Sequence, residues 1–329
     1  YYIDPTKIHS KKLKSNIIYK TAPKLLARFL SDRVIVAIDD TGLASTNLVY
    51  HIHCDSVGYF CGLLSSKLLS FWYMTAFQTE EIMYPHVQKS HLNALPIKAP
   101  PSEPRVDDGT IDRLRTGEDR ASLFAEIPDE RLKGCLPALV DRAKAAIEER
   151  QKISLSLLDY LGNYAEGPLL PDVGGFRPSG STILHSTTTD YQKLRVSTVH
   201  TERVGQSVII WLTARYKPVE EEYFELDQWG YTETEPIEAF RLTNLTDREA
   251  VLVDAFVPAA VAEASGFAGF RKTATKTKSL VDRLKAITLP DPDEVADDLR
   301  RYADAKARAE ELDTTFVESD GLINQIVYH

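Results

Sequence analysis

Lys24-Leu25-Leu26-Ala27-Arg28-Phe29, Val34-Ile35-Val36-Ala37-Ile38 and Asn47-Leu48-Val49-Tyr50-His51-Ile52-His53 are three apolar or alternating runs in close succession. Branched and aromatic residues at this density, bounded by turn formers, predict strands. Asp39-Asp40-Thr41-Gly42, between the second and third runs, is a turn signal. In the third run a period of two puts Leu48, Tyr50 and Ile52 on one face and Val49, His51 and His53 on the other. Asn16 to Lys20 reads as one more short strand, ahead of Pro23.

Downstream of these strands the period changes. Asp55 or Ser56 is placed to cap a helix running through Tyr59, Leu63, Ser66 and Ser70. Gly58, Gly62, Ser65 and Ser66 line part of it, which invites a second element to pack close. Tyr59 to Phe77 is 19 residues with one charge, Lys67, a length at the edge of a membrane span. Ser65, Ser66, Lys67 and Ser70 at its centre are costly in lipid and favour a buried helix of a water-facing domain. Phe71-Trp72-Tyr73 reads as core rather than as a base-stacking platform. Tyr84-Pro85 breaks the pattern, and His91 to Leu95 leads into Pro96.

Ala99-Pro100-Pro101-Ser102-Glu103-Pro104 and Asp107-Asp108-Gly109 read as a linker. From Pro128 a helical stripe follows through Leu132, Leu136, Leu139, Ala143, Ala146, Ile153, Leu157 and Leu161 to Tyr164, with Pro137 a point of kinking. After a Gly/Pro break at 167–180 the chain reads as β. Lys193 to Thr201 and Ser207 to Tyr216 flank Val204-Gly205-Gln206 as a hairpin. Tyr223 to Gln228, Tyr231 to Thr234 and Ile237 to Leu242 are further strand candidates, the first two around a turn at Trp229-Gly230. Thr246-Asp247-Arg248-Glu249 is a capping box opening a helix to Ser265. Ser279 to Ile287, Pro292 to Leu312 and a final segment from Ser319 complete the helices.

The expected fold is therefore α+β: a mixed α/β domain followed by a helical bundle with a small β-rich insert. The expected divisions are 1–104 for the mixed α/β domain, 105–171 for linker and long helix, 172–245 for the insert and 246–329 for the bundle.

The 329 residues are 43% hydrophobic and 26% charged, which excludes disorder of the whole chain. Three cysteines, Cys54, Cys61 and Cys135, are too few and too scattered for a disulfide framework and suit a reducing cytoplasm. Residues 1–98 hold 11 Lys and Arg against 7 Asp and Glu, a balance of +4, while the remainder holds 28 against 41, a balance of −13. Lys7, Lys11, Lys12, Lys14, Lys20, Lys24, Arg28 and Arg33 face only Asp4 and Asp32 up to position 33. Two readings stand for this strip: a solvated surface, or a track for phosphates. Arg271, Lys272, Lys276 and Lys278 form a second basic cluster with the same two readings. The acidic remainder reads as a solubility or interaction surface and also suits a high-salt cytoplasm.

Catalytic signatures are missing from the sequence. It has no Gly-rich nucleotide loop, no G-x-x-x-x-G-K-[ST] and no G-x-S-x-G. Amino methylation needs a tight polar-Pro-Pro-aromatic loop, and the one Pro-Pro here, Pro100-Pro101, lacks both flanking residues. His51-Ile52-His53-Cys54 has no second ligand pair at metal-site spacing. The chain begins at Tyr1 and ends within a helical pattern, so a piece of a longer protein is expected.

Several segments, in order, resemble a known family. Ile17-Ile18-Tyr19-Lys20 with Pro23-Lys24-Leu25 is similar to its opening strand, and Ile38-Asp39-Asp40-Thr41-Gly42 to the turn that follows. Gly62-Leu63-Leu64-Ser65-Ser66-Lys67 resembles its central helix, with Ser65 where the family usually has Asn. Phe71-Trp72-Tyr73, Tyr84-Pro85 and Leu92 to Ile97 continue the order. Residues 17–97 thus resemble the TaqI-like C-terminal specificity domain of N6-adenine DNA methyltransferases, especially large fused restriction–modification and phage-exclusion methylases. Leu322 to Tyr328 looks like a helix near the end of such enzymes.

The resemblance implies that the chain grips duplex DNA beside an upstream methyltransferase domain of the same parent chain. That domain binds S-adenosylmethionine, so no cofactor, no metal and no catalytic residue are expected here. The basic strip and second cluster would hold phosphates. Ser45, Thr46 and Asn47 after the turn, and Gln78 and Thr79 before Pro85, are the candidates for reading base edges. Lys67 is expected to pack or end a helix rather than touch DNA. Two rival readings are a module docking other defence subunits and a self-contained nuclease.

Overall fold

The computed structural model describes residues 20–77, 85–101, 108–117, 120–219, 223–263 and 279–329. The expected strand at Asn16 to Lys20 lies almost wholly outside these residues. The chain divides into two compact units, one of residues 1–152 with 309–329, the other of residues 153–308.

In the first unit β1 (Lys24–Arg28) is the centre of a three-stranded antiparallel sheet, between β2 (Val36–Asp39) and β3 (Val49–Ile52). Leu25 pairs with Ile38 and Ile52, and Ala27 with Val36 and Tyr50, so one face carries Leu25, Ala27 and their apolar partners into the core. Leu26, Ala37 and His51 share the opposite face.

Two helices stand where the period predicts one. α1 (Val57–Ser65) stops at Ser66, whose ψ of 148° is extended, and α2 (Lys67–Phe77) restarts at once. Ser66 serves both ends: its hydroxyl donates to the Leu63 carbonyl at 2.7 Å and accepts from the Leu69 N–H at 3.3 Å. The Lys67 N–H donates to Asn324 Oδ1 at 2.7 Å, so the tail of the chain caps α2. The expected helix-end role of Lys67 is carried by its backbone, while its side chain is exposed. Of the aromatic run, Tyr73 is buried, Trp72 is half-buried and Phe71 is exposed, so the core reading holds for only part of it.

The short helices α3 (Lys89–Asn93), α4 (Asp108–Thr116), α5 (Arg120–Glu126) and α6 (Asp129–Gly134) lead to α7 (Leu136–Arg150). Part of the expected linker is thus helical: the Pro-rich piece stops short of Leu114, which is fully buried. Pro137 sits at the start of α7, where a missing N–H costs nothing. The helical stripe does not run on to Tyr164; it ends at Arg150. Leu132, Leu136, Leu139 and Val140 join the first core, whereas Leu157 joins the second.

The small residues of α1 do receive a close neighbour. A Cβ on Gly58 would lie 3.1 Å from Pro137 Cα, and one on Gly62 3.1 Å from Val140 Cγ2. Helix propensity favours replacing glycine by about 1 kcal/mol, but only where space exists. Gly58→Leu is expected to lose about 1–3 kcal/mol through overpacking against the Pro137 backbone. A lowered urea midpoint with unchanged slope checks it; an unchanged midpoint would mean that α1 and α7 separate easily.

The second unit is built on an antiparallel sheet of order β5-β9-β7-β6, with β8 beside β7. Its strands, with β4 (Glu166–Leu169) paired elsewhere, are β5 (Gly175–Pro178), β6 (Gln192–Val204), β7 (Ser207–Lys217), β8 (Thr232–Glu233) and β9 (Ile237–Thr243). Val204 pairs with Ser207 across Gly205, whose φ of 60° is the left-handed value this two-residue loop requires. Tyr223 to Gln228 is not a strand but part of an irregular approach to the Trp229-Gly230 turn.

The helix α8 (Thr182–His185) is a single turn, and α9 (Asp247–Glu263) opens with the expected capping box. Glu249 accepts from the Thr246 N–H at 2.8 Å while Thr246 Oγ1 accepts from the Glu249 N–H at 3.2 Å. Pro258 lies inside α9 and cannot donate to the Asp254 carbonyl. Thr201 Oγ1 of β6 stands 2.9 Å from that carbonyl and 2.7 Å from Asp254 Oδ1, so its one proton is shared between the two acceptors. Next, α10 (Leu280–Lys285) precedes β10 (Thr288–Pro290), which pairs with β4. The last element, α11 (Ala296–Tyr328), is one helix of 33 residues where sequence predicts two. Its first turns belong to the second unit and its last turns to the first. The α+β class holds.

Candidate nucleic-acid interface

The turn after β2 is organised by one side chain. Asp39 Oδ1 accepts from the Thr41 N–H at 2.9 Å, the Thr41 hydroxyl at 2.9 Å and the Gly42 N–H at 3.0 Å. Asp39 Oδ2 accepts from the Leu43 N–H at 2.7 Å. Gly42 has a φ of 77°, a value its missing Cβ makes cheap. Lys24 sits directly across the β1–β2 ladder and puts its ammonium 2.6 Å from Asp39 Oδ2, with both side chains at most 1% exposed. Burial alone would raise the Asp39 carboxyl. The Lys24 ammonium and the turn hydrogen bonds outweigh it and hold the group well below the usual carboxylate range. Asp40, next in sequence, is ion-paired to Lys144 of α7.

Lys24 is therefore removed from the phosphate strip: a fully buried, paired ammonium does not reach a phosphate. Lys20, Arg28 and Arg33 are exposed. Lys7, Lys11, Lys12 and Lys14 lie outside the described residues, as do Gln78, Thr79, Arg271, Lys272, Lys276 and Lys278.

The turn delivers Ser45, Thr46 and Asn47 to the edge of the sheet, with Thr46 and Asn47 exposed and Ser45 half-buried. Ser45 Oγ lies 2.7 Å from His51 Nε2, which fixes the loop to β3. Burial, and then the nearby Lys24 charge, push His51 below the usual histidine value, so its ring is neutral at neutral pH. His51 thus positions the loop and adds no cation. Sequence reasoning read His51 as a strand residue and missed this tie; the two are six residues apart across an irregular loop, with no local pattern to mark the pair.

On the same outer face Leu26, Leu30, Ile35, Ala37, Leu48 and Val49, with Arg28 among them, line a shallow groove of about 390 Å³. An apolar floor with a guanidinium among its lining residues suits thymine methyls and base edges better than a small charged ligand. Among the described residues no three His, Cys, Asp or Glu side chains group to hold a metal ion, and no helix is long and apolar enough to cross a membrane.

Residues 1–97 match the family model of the TaqI-like C-terminal specificity domain. This part of the chain is similar to a specificity domain. Such a domain implies DNA target recognition for a methyltransferase. No curated protein and no solved structure matches the chain. The specificity domain does not stand alone physically. Leu114, Leu132, Leu136 and Leu139 from beyond its matched span, and Leu322, Ile323 and Ile326 from the tail, share one core with its Leu25, Tyr59 and Tyr73.

Proposed function

We propose that this chain is the DNA-recognition part of an adenine-N6 methyltransferase of a restriction–modification or phage-defence system. It grips duplex DNA in the cytoplasm and positions the target adenine for a catalytic domain elsewhere in the parent protein, where S-adenosylmethionine binds. The observation that carries this reading is the specificity-domain match to residues 1–97, within which Thr46, Asn47, Arg28 and Arg33 are exposed. Lys7, Lys11, Lys12, Lys14 and Lys20 are further candidates for holding phosphates, Gln78 and Thr79 for reading base edges, and Arg271, Lys272, Lys276 and Lys278 form a second set of phosphate candidates.

Fluorescence anisotropy on a mixed-sequence duplex across a salt series tests it. Binding should weaken steeply with salt. The triple variant Lys11→Glu/Lys12→Glu/Lys14→Glu should flatten the log–log salt slope by about 0.9 for each phosphate it no longer neutralises. Equal binding by the variant would remove the strip from the interface. No binding by the unmodified chain at low salt would favour the rival reading, a module that docks other defence subunits.

A further inference from the structure

The second unit carries a cluster that the DNA-recognition reading does not use. The Trp229-Gly230 turn beside β8 is pinned by Asp227. Its Oδ1 accepts from the Trp229 N–H and the Tyr231 N–H, each at 2.9 Å, and its carbonyl accepts from the Gly230 N–H at 3.0 Å. A turn held this way loses little conformational freedom on binding. What it presents is an indole that is 62% exposed.

Three cations surround the next ring. Arg195 lies 4.9 Å, Arg215 4.8 Å and Lys217 5.0 Å from the Tyr231 centroid. They do not play the same part. Arg215 is ion-paired to Asp227 and lies 3.7 Å from Glu233, and it also stands 5.9 Å from the Trp229 ring. It is neutralised and locks the two aromatic rings to β7. Arg195 and Lys217 have no ion pair among the described residues, although the chain beyond residue 98 carries a balance of −13. Two cations without an ion pair among the described residues, beside an exposed indole on a pinned turn, form a local site for an anion with a flat apolar part.

A nucleic-acid strand with unpaired bases has both components at the right scale: phosphates for the cations and π-faces for the indole. An acidic peptide would use the cations but leave Trp229 without a purpose. We propose that Trp229, Arg195 and Lys217 form a second nucleic-acid site, one for an unpaired strand. Trp229 stacks on a base, Arg195 and Lys217 hold flanking phosphates, and Tyr231 with Arg215 is the scaffold. The site uses none of the residues matched to the specificity domain.

The test is anisotropy of the full chain with a labelled oligothymidylate about twelve nucleotides long, within the usual range of such sites. Wild-type binding should weaken about tenfold or more in Trp229→Ala, the loss of one stacked base. Trp229→Phe should retain most of the affinity. Arg195→Ala/Lys217→Ala should flatten the salt slope by about 1.4, the value for two phosphates of a single strand. The Lys11→Glu/Lys12→Glu/Lys14→Glu variant should leave oligothymidylate binding unchanged, which separates this site from the duplex reading. Absence of wild-type binding at low salt would overturn the proposal. So would Trp229→Ala and Arg195→Ala/Lys217→Ala proteins that bind as wild type, or a loss in Trp229→Ala that Trp229→Phe reproduces in full.

Discussion

Lys24→Ala is expected to destabilise the first unit by about 3–5 kcal/mol, the usual cost of leaving a buried charge without its partner. The Asp39 carboxylate would stay inside the protein with its turn hydrogen bonds but no cation at 2.6 Å. Urea unfolding followed by the protection of β1 to β3 amides measures it. The pH dependence gives a second check. Asp39 is held below its ordinary value, so its contribution is full above that value, about 3.9, and fades as pH falls below it. In the variant, burial favours the neutral acid. The gap between the two proteins should therefore be widest near neutrality and narrow below about pH 4. A gap that is constant with pH would mean that Lys24 acts by packing and not by charge. Charge reversal of the basic strip should accordingly leave Lys24 alone, since a Lys24 variant would lose DNA binding by unfolding.

The other large effect is expected in the second unit. Phe240 is fully buried on β9, between β5 and β7, with its ring 5.1 Å from that of Phe176. Phe240→Ala removes a large ring from the middle of a sheet that cannot collapse around it. A loss of about 3–5 kcal/mol follows. Hydrogen exchange resolved by segment should show faster opening across β6, β7 and β9, with β1 to β3 unchanged, because Phe240 and Leu25 sit in separate cores. Equal loss in both sets would show one cooperative core instead of two.

What could be read from sequence was what local chemistry determines. The Gly205 hairpin, the Thr246–Glu249 capping box and the Asp39–Gly42 turn each place their own hydrogen bonds within a few residues. Ser66 was unreadable as a break: no Gly or Pro marks it, and the capping Asn324 lies far along the chain. The stretch Asp313 to Glu318 is polar and β-branched, so it read as a gap between helices. The helix runs through it because Leu312 and Ser319 on either side are both buried and no breaker intervenes. Lys24 was misread for a different reason. Charge counted along the sequence places it in a basic strip, whereas antiparallel pairing places it opposite Asp39. That pairing follows from the strands and turn themselves, so register is the signal that finds it. The loop residues Ser45 to Asn47 were legible as a position, and their tie to His51 was not.

The assignment of residues 309–329 to the first unit also has a bearing on synthesis. Leu25, Tyr59 and Leu136 emerge from the ribosome early, yet Leu322, Ile323 and Ile326, which share their core, emerge only after the whole of 153–308. The second unit has all its residues available before the first does. The early segment must therefore wait, with part of its apolar surface uncovered, until translation reaches the last turns of α11. Nascent chains arrested before residue 322 should hold a folded β6–β9 sheet and an N-terminal region still open to protease and to chaperones.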